Sequence, residues 1–349
     1  MNPHKLLLIA AAGLVAPALS AAQPSSVQVY GTLDALVYRK ELAGEVPVKR
    51  LDSGGTATSF WGIRGTEDLG GGTSVQFDLS SFFRLDAGVN GRSDTDPYYS
   101  RSSWVGLQGG WGGLRLGRQT TLGFVNLTRY SAWGASSAFG PSFLHTYLAS
   151  ATQPMMTGSG AADSAWNNTL SYTAPAFGGL TAAAHVAAGE NTPAGRRLGI
   201  SLGWARGPFS AGLAVEKIER MSLNFSKPPA TVTMTDSDVV SLGASYDFTV
   251  VKLFAQAIKT ELGNATVGID INTYSLGAVA PLGAGRVIGS YAATTKKQTA
   301  QTDQKRQTLT AGYEYDLSKR TNLYALAMQD RVTRLSDGTG YAFGVRHRF

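Results

Sequence analysis

Large apolar side chains alternate with small or charged ones over the last nine residues of the chain. Tyr341, Phe343 and Val345 share one parity, whereas Arg346 and Arg348 have the other. A period of two with different chemistry on its two sides indicates a β-strand whose faces meet different surroundings. In a soluble protein the apolar face would cover a core, whereas in a membrane barrel it would meet lipid and the charged face would line an aqueous lumen. One strand does not decide between these alternatives.

The same alternation recurs along the chain, most clearly over residues 27–37, 75–80, 209–216 and 308–315. Tight turns separate predicted strands near residues 68–72, 109–113, 174–179, 205–208, 246–250, 281–285 and 316–320. Longer polar segments lie near residues 40–56, 86–98, 120–165, 189–196, 220–238, 261–269, 295–306 and 332–339. Seven short turns and eight long loops predict sixteen strands with both termini at the short-turn rim, an asymmetry typical of outer-membrane barrels.

Closure of the predicted sheet follows from the solvent around it. Inside lipid every backbone N–H and C=O group needs a protein partner, and only a closed sheet provides one without an edge. Sixteen strands enclose a space that side chains cannot fill, so water enters it. The sequence therefore predicts an all-β fold, a 16-stranded antiparallel transmembrane β-barrel with an aqueous pore.

The first 22 residues have the pattern of an export signal. Lys5 supplies a positive charge, residues 6–19 are mostly apolar, and small residues precede Gln23. The apolar run is shorter than the roughly 20 residues that a membrane-spanning helix needs. We therefore predict a cleaved signal at residues 1–22 and a barrel over residues 23–349, with a short N-terminal anchor as the alternative.

The composition fits an exported β-protein. The chain has no cysteine, which excludes disulfides and thiolate metal sites. Its 42 glycines, 14 tyrosines and 14 phenylalanines suit a fold with many turns and strands. Mean hydropathy is −0.06, so the membrane prediction rests on alternation. No cofactor and no metal are expected.

One connection is much longer than the others. Residues 120–165 alternate weakly, and segments of this length in compact proteins are usually functional or disordered. Disordered segments contain few aromatic residues. This segment carries or borders seven of them, namely Phe124, Tyr130, Trp133, Phe139, Phe143, Tyr147 and Trp166. We therefore predict a third loop that folds inward against the barrel wall, with an outward surface loop as the alternative.

Seven stretches of the mature chain follow one another in the order of a known family, at residues 26–34, 61–72, 104–107, 113–119, 171–179, 316–324 and 344–349. The Gly-rich residues 67–72 and the terminal Phe349 are the most specific combination among them. In these stretches the chain resembles the trimeric general porins of Gram-negative bacteria, specifically their β-proteobacterial and neisserial branch. The resemblance implies a sixteen-stranded homotrimer in the outer membrane, constricted by its third loop. It also implies passive diffusion of small hydrophilic solutes.

The resemblance further implies that arginines line one side of the constriction. Arg64, Arg101 and Arg118 lie in the matching stretches. Parity places Arg64 on the lumen side, but Arg101 and Arg118 share the parity of apolar neighbours, so a bulge near the strand end would be needed to turn them inward. Phe60 stands where the family usually has a basic residue. It shares the parity of Arg64. An aromatic ring at this position would narrow the eyelet, and the positive charge usual in the family would be missing.

Among the charged residues that parity places in the lumen, basic residues outnumber acidic ones. These charged residues are Asp34, Arg64, Asp78, Arg84, Glu216, Arg286, Glu314, Arg346 and Arg348. The long loop adds Arg129 and His145 and carries no acid before Asp163. Charges that line a narrow aqueous pore are weakly screened, so we predict a preference for small anions. The alternative is that the arginines are solvated or paired with acids and select nothing.

Other functions have weaker support in the sequence. A barrel enzyme would need a histidine beside a nucleophile, and the mature chain has only His145, His185 and His347 and no nucleophile elbow or zinc motif. A substrate-selective channel with a solute site on the long loop stays open. The basic residues are dispersed despite a net charge of +7, so no nucleic-acid partner is expected. The expected partners are outer-membrane lipid and lipopolysaccharide, small hydrophilic solutes and ions.

Overall fold

The computed structural model of the chain describes residues 25–147, 155–157, 164–190, 195–226 and 229–349, and the predicted export signal lies outside these ranges. The elements before residue 174 are β1 (Ser26–Lys40), β2 (Val48–Ser53), β3 (Phe60–Gly70), β4 (Thr73–Arg84), β5 (Val89–Asn90), β6 (Ser102–Gly109), β7 (Gly112–Thr120), α1 (Leu122–Arg129), α2 (Pro141–Thr146), β8 (Met155–Thr157) and β9 (Ala165–Thr173). The elements after it are β10 (Leu180–Ala187), β11 (Arg197–Arg206), β12 (Phe209–Ile218), β13 (Met221–Ser226), β14 (Pro229–Met234), β15 (Asp236–Asp247), β16 (Lys252–Gly263), β17 (Gly268–Leu282), β18 (Gly285–Gln298), β19 (Gln304–Asp316), β20 (Thr321–Val332) and β21 (Gly338–Arg348).

Sixteen antiparallel strands form one closed ring, as predicted. Each barrel strand pairs with the next one along the chain, and β1 closes the ring by pairing with β21, where Ala35 lies opposite Val345. β2 and β3 both pair with β1 and together make the second barrel strand. β5 adds two residues to β4 in the second loop, and β8, β13 and β14 form a separate small sheet. Closure leaves no barrel strand with an unpaired edge.

Side chains alternate between the two faces of the ring. On β21, Tyr341 and Phe343 are 51% and 63% exposed, whereas Ala342 and Arg346 are 0% and 6% exposed. The apolar parity therefore faces outward, where a membrane barrel meets lipid, and the polar parity faces inward. No helix in the described ranges is long and apolar enough to cross a membrane.

The long-loop rim differs from the sequence prediction in its last third. There the connections shrink to residues 264–267, 299–303 and 333–337, because the flanking strands are longer than predicted. Charged outward side chains continue the ladder, as where Lys259 and Glu261 on β16 form an ion pair of 2.7 Å. The apolar signal ends before the hydrogen-bonded ladder does, so the sequence pattern placed these strand ends in loops.

The third loop contains regular structure between β7 and β9. Thr121 caps α1 by accepting a hydrogen bond from Phe124 N at 3.2 Å, and Pro141 begins α2 where no backbone N–H donor is needed. Between α1 and α2 the chain runs through turns, and Met155–Thr157 form β8. The described part of a segment that has no clear pattern in the sequence therefore contains two short helices and one short strand.

Hydrogen bonds place this loop against the inner wall. Asn126 Nδ2 donates to Ser241 Oγ at 2.9 Å, and Gln256 Nε2 donates to Leu127 O at 2.7 Å. Ser241 and Gln256 are buried on the parity opposite to the exposed outer residues of β15 and β16. The described part of the loop therefore lies inside the ring.

Two apolar clusters hold the loop there. One packs Trp133, Phe139 and Leu144 against inward side chains such as Leu36, and the other packs Leu127 against the wall. Burying one large apolar side chain is worth about 1.5–3 kcal/mol, more than a typical net hydrogen bond. These clusters fix the described part of the loop in the barrel interior.

Inward-facing glycines make room for the loop's large side chains. A Cβ added at Gly243 would lie 2.2 Å from Tyr130 Cδ2, and one at Gly212 would lie 2.8 Å from Tyr130 Cε2. A Cβ at Gly312 would lie 2.9 Å from Trp133 Cη2. Because real Cβ atoms do not approach heavy atoms this closely, these positions require glycine for steric reasons.

Candidate pore constriction

Arg64 faces the lumen, as its parity predicted. It lies on β3 opposite Asp78 on β4. Its Nε and Nη2 donate to Gln28 Oε1 at 3.2 and 2.8 Å, and its guanidinium carbon lies 4.6 Å from the Tyr30 ring centroid. The guanidinium therefore stacks on an aromatic ring while the side chain stays exposed.

Arg101 also points inward, but no bulge is needed to turn it. It precedes the first residue of β6, so strand alternation does not apply to it. Its Nη1 donates to Tyr30 Oη at 3.0 Å and Ser80 Oγ at 3.1 Å, and its guanidinium carbon lies 4.0 Å from the Phe60 ring centroid. The position of Arg101 before the strand explains its inward direction, which parity alone does not predict.

The two arginines and two aromatic rings form one stacked column along the wall. Tyr30 and Phe60 meet edge to face with centroids 5.7 Å apart, and Arg101 contacts both rings. Each cation–π contact is worth roughly 0.5–2 kcal/mol, depending on how dry it is. Phe60, at the position where a basic residue was expected, therefore supports the guanidinium of Arg101.

Asp78 lies beneath this column and is 8% exposed. It accepts hydrogen bonds from Tyr30 Oη and, at 2.8 Å, from Ser80 Oγ. Both of these hydrogen bonds to the carboxylate thus come from hydroxyl groups. Arg64 and Arg101 donate their hydrogen bonds to neutral groups.

Arg118 lies at the predicted bulge. The register between β7 and β9 shifts between Gly117 and Gln119, where Gly117 has φ 128°. Arg118 is 9% exposed, and it donates from Nε to Ser100 O at 2.7 Å and from Nη1 to Asn167 Oδ1 at 2.7 Å. Its guanidinium therefore ties the segment before β6 to the start of β9.

Arg115 is the inward arginine of β7 that the sequence analysis missed. Its guanidinium carbon lies 4.2 Å from the Trp104 ring centroid. Strict alternation identifies it, because Leu114 and Leu116 on either side are exposed outer residues. The sequence therefore carries the signal for Arg115, whereas the family resemblance implies only Arg118 on this strand.

The three inward arginines share one recess of about 370 Å³ beside the third loop. Arg64, Arg101 and Arg115 lie on the barrel wall, and Leu122 and Val125 of α1 lie across from them. The recess therefore has a cationic wall and an apolar wall.

Arg129 lies apart from this recess, in the last turn of α1. Its guanidinium carbon lies 5.7 Å from the Tyr130 ring centroid, and its Nη2 is 3.5 Å from Ser210 Oγ near the start of β12. That end of β12 adjoins a short turn, so Arg129 sits near the short-turn rim.

Asp34 faces inward, but residues 54–57, between β2 and β3, cover it completely. It is 0% exposed and accepts hydrogen bonds from the backbone N–H groups of Gly55, Thr56 and Ala57 at 2.9–3.0 Å. Tyr324 Oη also donates to it at 2.5 Å. Parity placed Asp34 on the correct face, but it could not show that a loop folds back over the carboxylate.

Several other inward charges are paired on the wall. Glu314 accepts from Arg286 and from Arg346, the latter at 3.0 Å. Glu216 accepts from Gly123 N at 2.6 Å at the start of α1. The two arginines neutralise Glu314, and Glu216 is only 2% exposed, so neither acid lines the recess.

His145 is buried in α2 between two hydroxyl groups. Its Nδ1 lies 2.7 Å from Thr294 Oγ1 and its Nε2 lies 2.7 Å from Thr308 Oγ1. Both ring nitrogens thus serve to anchor the loop. Among the residues that the structure describes, no group of three histidine or carboxylate side chains could hold a metal ion.

Acidification is expected to weaken this anchor. Burial, followed by the nearby charge of Arg306, holds the pKa of His145 well below its usual value, so the folded barrel keeps the ring neutral. Below a pH of about 6.5, the usual pKa of histidine, the unfolded chain binds the proton first and the free energy of unfolding falls. Thermal unfolding measured from neutral to mildly acidic pH should show this loss, and His145→Gln should show less of it. Equal losses in both proteins would contradict the assignment.

A closed ring with an apolar outside, an inner wall of arginines and a loop packed within defines a transmembrane channel barrel. The model of the Gram-negative porin family matches residues 8–335. Outer membrane porin protein 32 of Delftia acidovorans is 34% identical over 99% of this chain and 100% of its own length. An outer membrane porin of Bordetella pertussis is 29% identical over 99% and 100%. The solved anion-selective porin from Comamonas acidovorans has a TM-score of 0.77 at 30% identity, covering 93% of this chain and 100% of that one.

The chain belongs to the Gram-negative porin family and is an outer-membrane protein. This confirms the family and the location predicted from the matching stretches. Family and fold together indicate a channel rather than an enzyme.

Proposed function

We propose that the chain forms a water-filled channel for passive diffusion of small hydrophilic solutes, with a preference for anions. One observation carries this proposal. Arg64, Arg101 and Arg115 share a recess in which Asp78 is the one acid among the described lining residues. Charges beside a narrow aqueous path are weakly screened, so they favour entry of counter-ions.

The third loop supports the position of the constriction. α1 packs on β11, β12 and β15, and α2 packs on β17, β18 and β19. The described loop thus occupies one side of the lumen, and the open path runs along the arginine-bearing wall of β3, β6 and β7. We therefore assign the constriction to the space between that wall and α1. This helix belongs to the loop predicted at residues 120–165.

A homotrimer and contacts with lipid and lipopolysaccharide also belong to this proposal. Family membership supports the trimer, and the outer apolar belt supports contact with lipid. Lys217, beside Asp236 and Asp238, and Lys259, beside Glu261, are exposed toward the outside near the long-loop rim, where anionic headgroups lie. Conductance steps that occur in threes would support three pores per particle.

We further infer that the chain has no catalytic role. Two of the three histidines in the described ranges support this reading, because His145 binds two threonine hydroxyls and His347 Nδ1 lies 2.8 Å from Thr321 Oγ1. Neither arrangement places the ring beside an activated nucleophile.

Replacing Arg101 by glutamine is expected to reduce the chloride-over-potassium permeability ratio about tenfold, since a unit charge about 6 Å from the ion path contributes roughly 0.7 kcal/mol in water-like surroundings, with opposite sign for the two ions. Reversal potentials in planar bilayers under a KCl gradient would measure this. Arg331→Gln is a matched control, because the exposed Arg331 pairs with Asp337 on the outer face. A wild-type reversal potential that favours potassium would reject the proposed anion preference.

A further inference from the structure

The recess beside α1 presents two unlike surfaces to the same small volume. On the barrel side, Arg101 stacks on Phe60, and Arg115 stacks on Trp104. On the loop side, Val125 is 46% exposed although it is apolar. A solute between them meets positive charge and ring faces on one side and a methyl surface on the other.

One edge of the Arg101 guanidinium is available to such a solute. Its hydrogen bonds to Tyr30 and Ser80 both use Nη1. This leaves the Nε and Nη2 donors, which form the parallel fork that a carboxylate binds with two hydrogen bonds. The stacking on Phe60 holds the guanidinium plane, so little side-chain freedom is lost when a carboxylate binds.

The two walls distinguish classes of anion. A small inorganic anion gains from the arginines alone and interacts with Val125 no better than water does. A carboxylate that carries a flat apolar body gains from the arginines and also removes apolar surface of Val125 and Trp104 from water. The recess volume of about 370 Å³ is large enough for a single-ring carboxylate.

We propose that this recess is a binding site for small monocarboxylates with a planar apolar body, whose carboxylate binds Nε and Nη2 of Arg101 and whose body contacts Val125. The inference rests on the proposed function, because solutes reach the recess through the conducting lumen. It goes beyond a general preference for negative charge, since it requires the apolar wall as well.

The test is inhibition of chloride current through single pores in planar bilayers by benzoate, with acetate and neutral benzamide as comparison solutes. Benzoate should inhibit at concentrations about fivefold lower than acetate, which corresponds to roughly 40 Å² of apolar contact. Benzamide, which lacks the charge, should not inhibit in the same range. Equal inhibition by benzoate and acetate would overturn the proposal and leave a site that recognises charge alone.

Substitutions test the contributions of the two walls to inhibition separately. Val125→Ser should weaken benzoate inhibition about fivefold, by the same contact area, so that benzoate and acetate inhibit at similar concentrations. Val46→Ser, at a position that is 81% exposed in the first loop, is the matched control. Val125→Thr keeps the side-chain shape and serves if the serine variant folds poorly. Unchanged benzoate inhibition in both Val125 variants would overturn the proposal.

Arg101→Gln should weaken inhibition by benzoate and by acetate alike, since both use the same guanidinium edge. A wild-type pore that conducts chloride preferentially but treats benzoate and acetate alike would refute the carboxylate site and leave the proposed channel function standing. A pore that does not prefer chloride would refute both. The two failures are therefore distinguishable in one set of recordings.

Discussion

Replacing Arg306 by methionine is expected to lower the free energy of unfolding of the barrel by about 3–5 kcal/mol. Arg306 on β19 donates from Nε and Nη2 to Asp330 on β20 at 2.9 and 3.1 Å, and the two side chains are 3% and 0% exposed. Its Nη1 also donates to Leu144 O of the third loop at 3.3 Å. The variant leaves a buried carboxylate without its counter-charge, which is more costly than the loss of the hydrogen bonds alone.

An ion pair elsewhere in the barrel provides a matched control for this prediction. Arg331 and Asp337 are also 2.9 Å apart, but their side chains are 55% and 51% exposed. Arg331→Met should therefore change the free energy of unfolding by less than about 1 kcal/mol. Urea titrations of the refolded protein in detergent micelles would measure both variants. Adding Asp330→Asn to Arg306→Met should recover part of the loss, because it removes the unpaired charge. Similar small effects of both methionine variants would contradict the argument.

Replacing Gly243 by leucine is expected to destabilise the barrel by about 1–3 kcal/mol, the usual cost of overpacking. Tyr130 is 1% exposed and its ring lies where the new Cβ would be, 2.2 Å from Cδ2. The closed ring cannot widen at one strand, so Tyr130 and the adjoining end of α1 must move toward the pore axis. The thermal transition of the folded barrel should therefore fall, together with the single-channel conductance.

The control for Gly243→Leu is Gly289→Leu, since a Cβ at Gly289 would meet nothing within 4 Å. It faces outward on β18, so the added side chain would contact lipid. Adding Tyr130→Ala to Gly243→Leu should restore stability by removing the clashing ring. If both leucine variants melt at the same temperature, the loop does not require a glycine at position 243.

Local sequence patterns predicted the barrel because strand alternation repeats every two residues and does not depend on distant contacts. The pairs Leu114 and Leu116, or Tyr341 and Phe343, already show which face meets lipid. Predictions at strand ends were less accurate, because polar residues there continue the ladder without an apolar signal.

The candidate site was only partly predictable for a related reason. Arg64 and Arg115 both obey alternation, but the roles of Arg101 and Arg118 depend on where β6 begins and where β7 bulges. Those features are set by pairing with neighbouring strands, since the bulge between Gly117 and Gln119 appears only in the register with β9.

The sequence by itself determined the family, the number of barrel strands and the face that each strand residue presents. Only the tertiary structure decided which charges remain available to solutes and which surface lies opposite them. Asp34 is covered by residues 54–57, and Val125 reaches the recess because Tyr130 fits against Gly243. Such contacts join residues far apart in the chain, so neither a period of two nor a local motif encodes them.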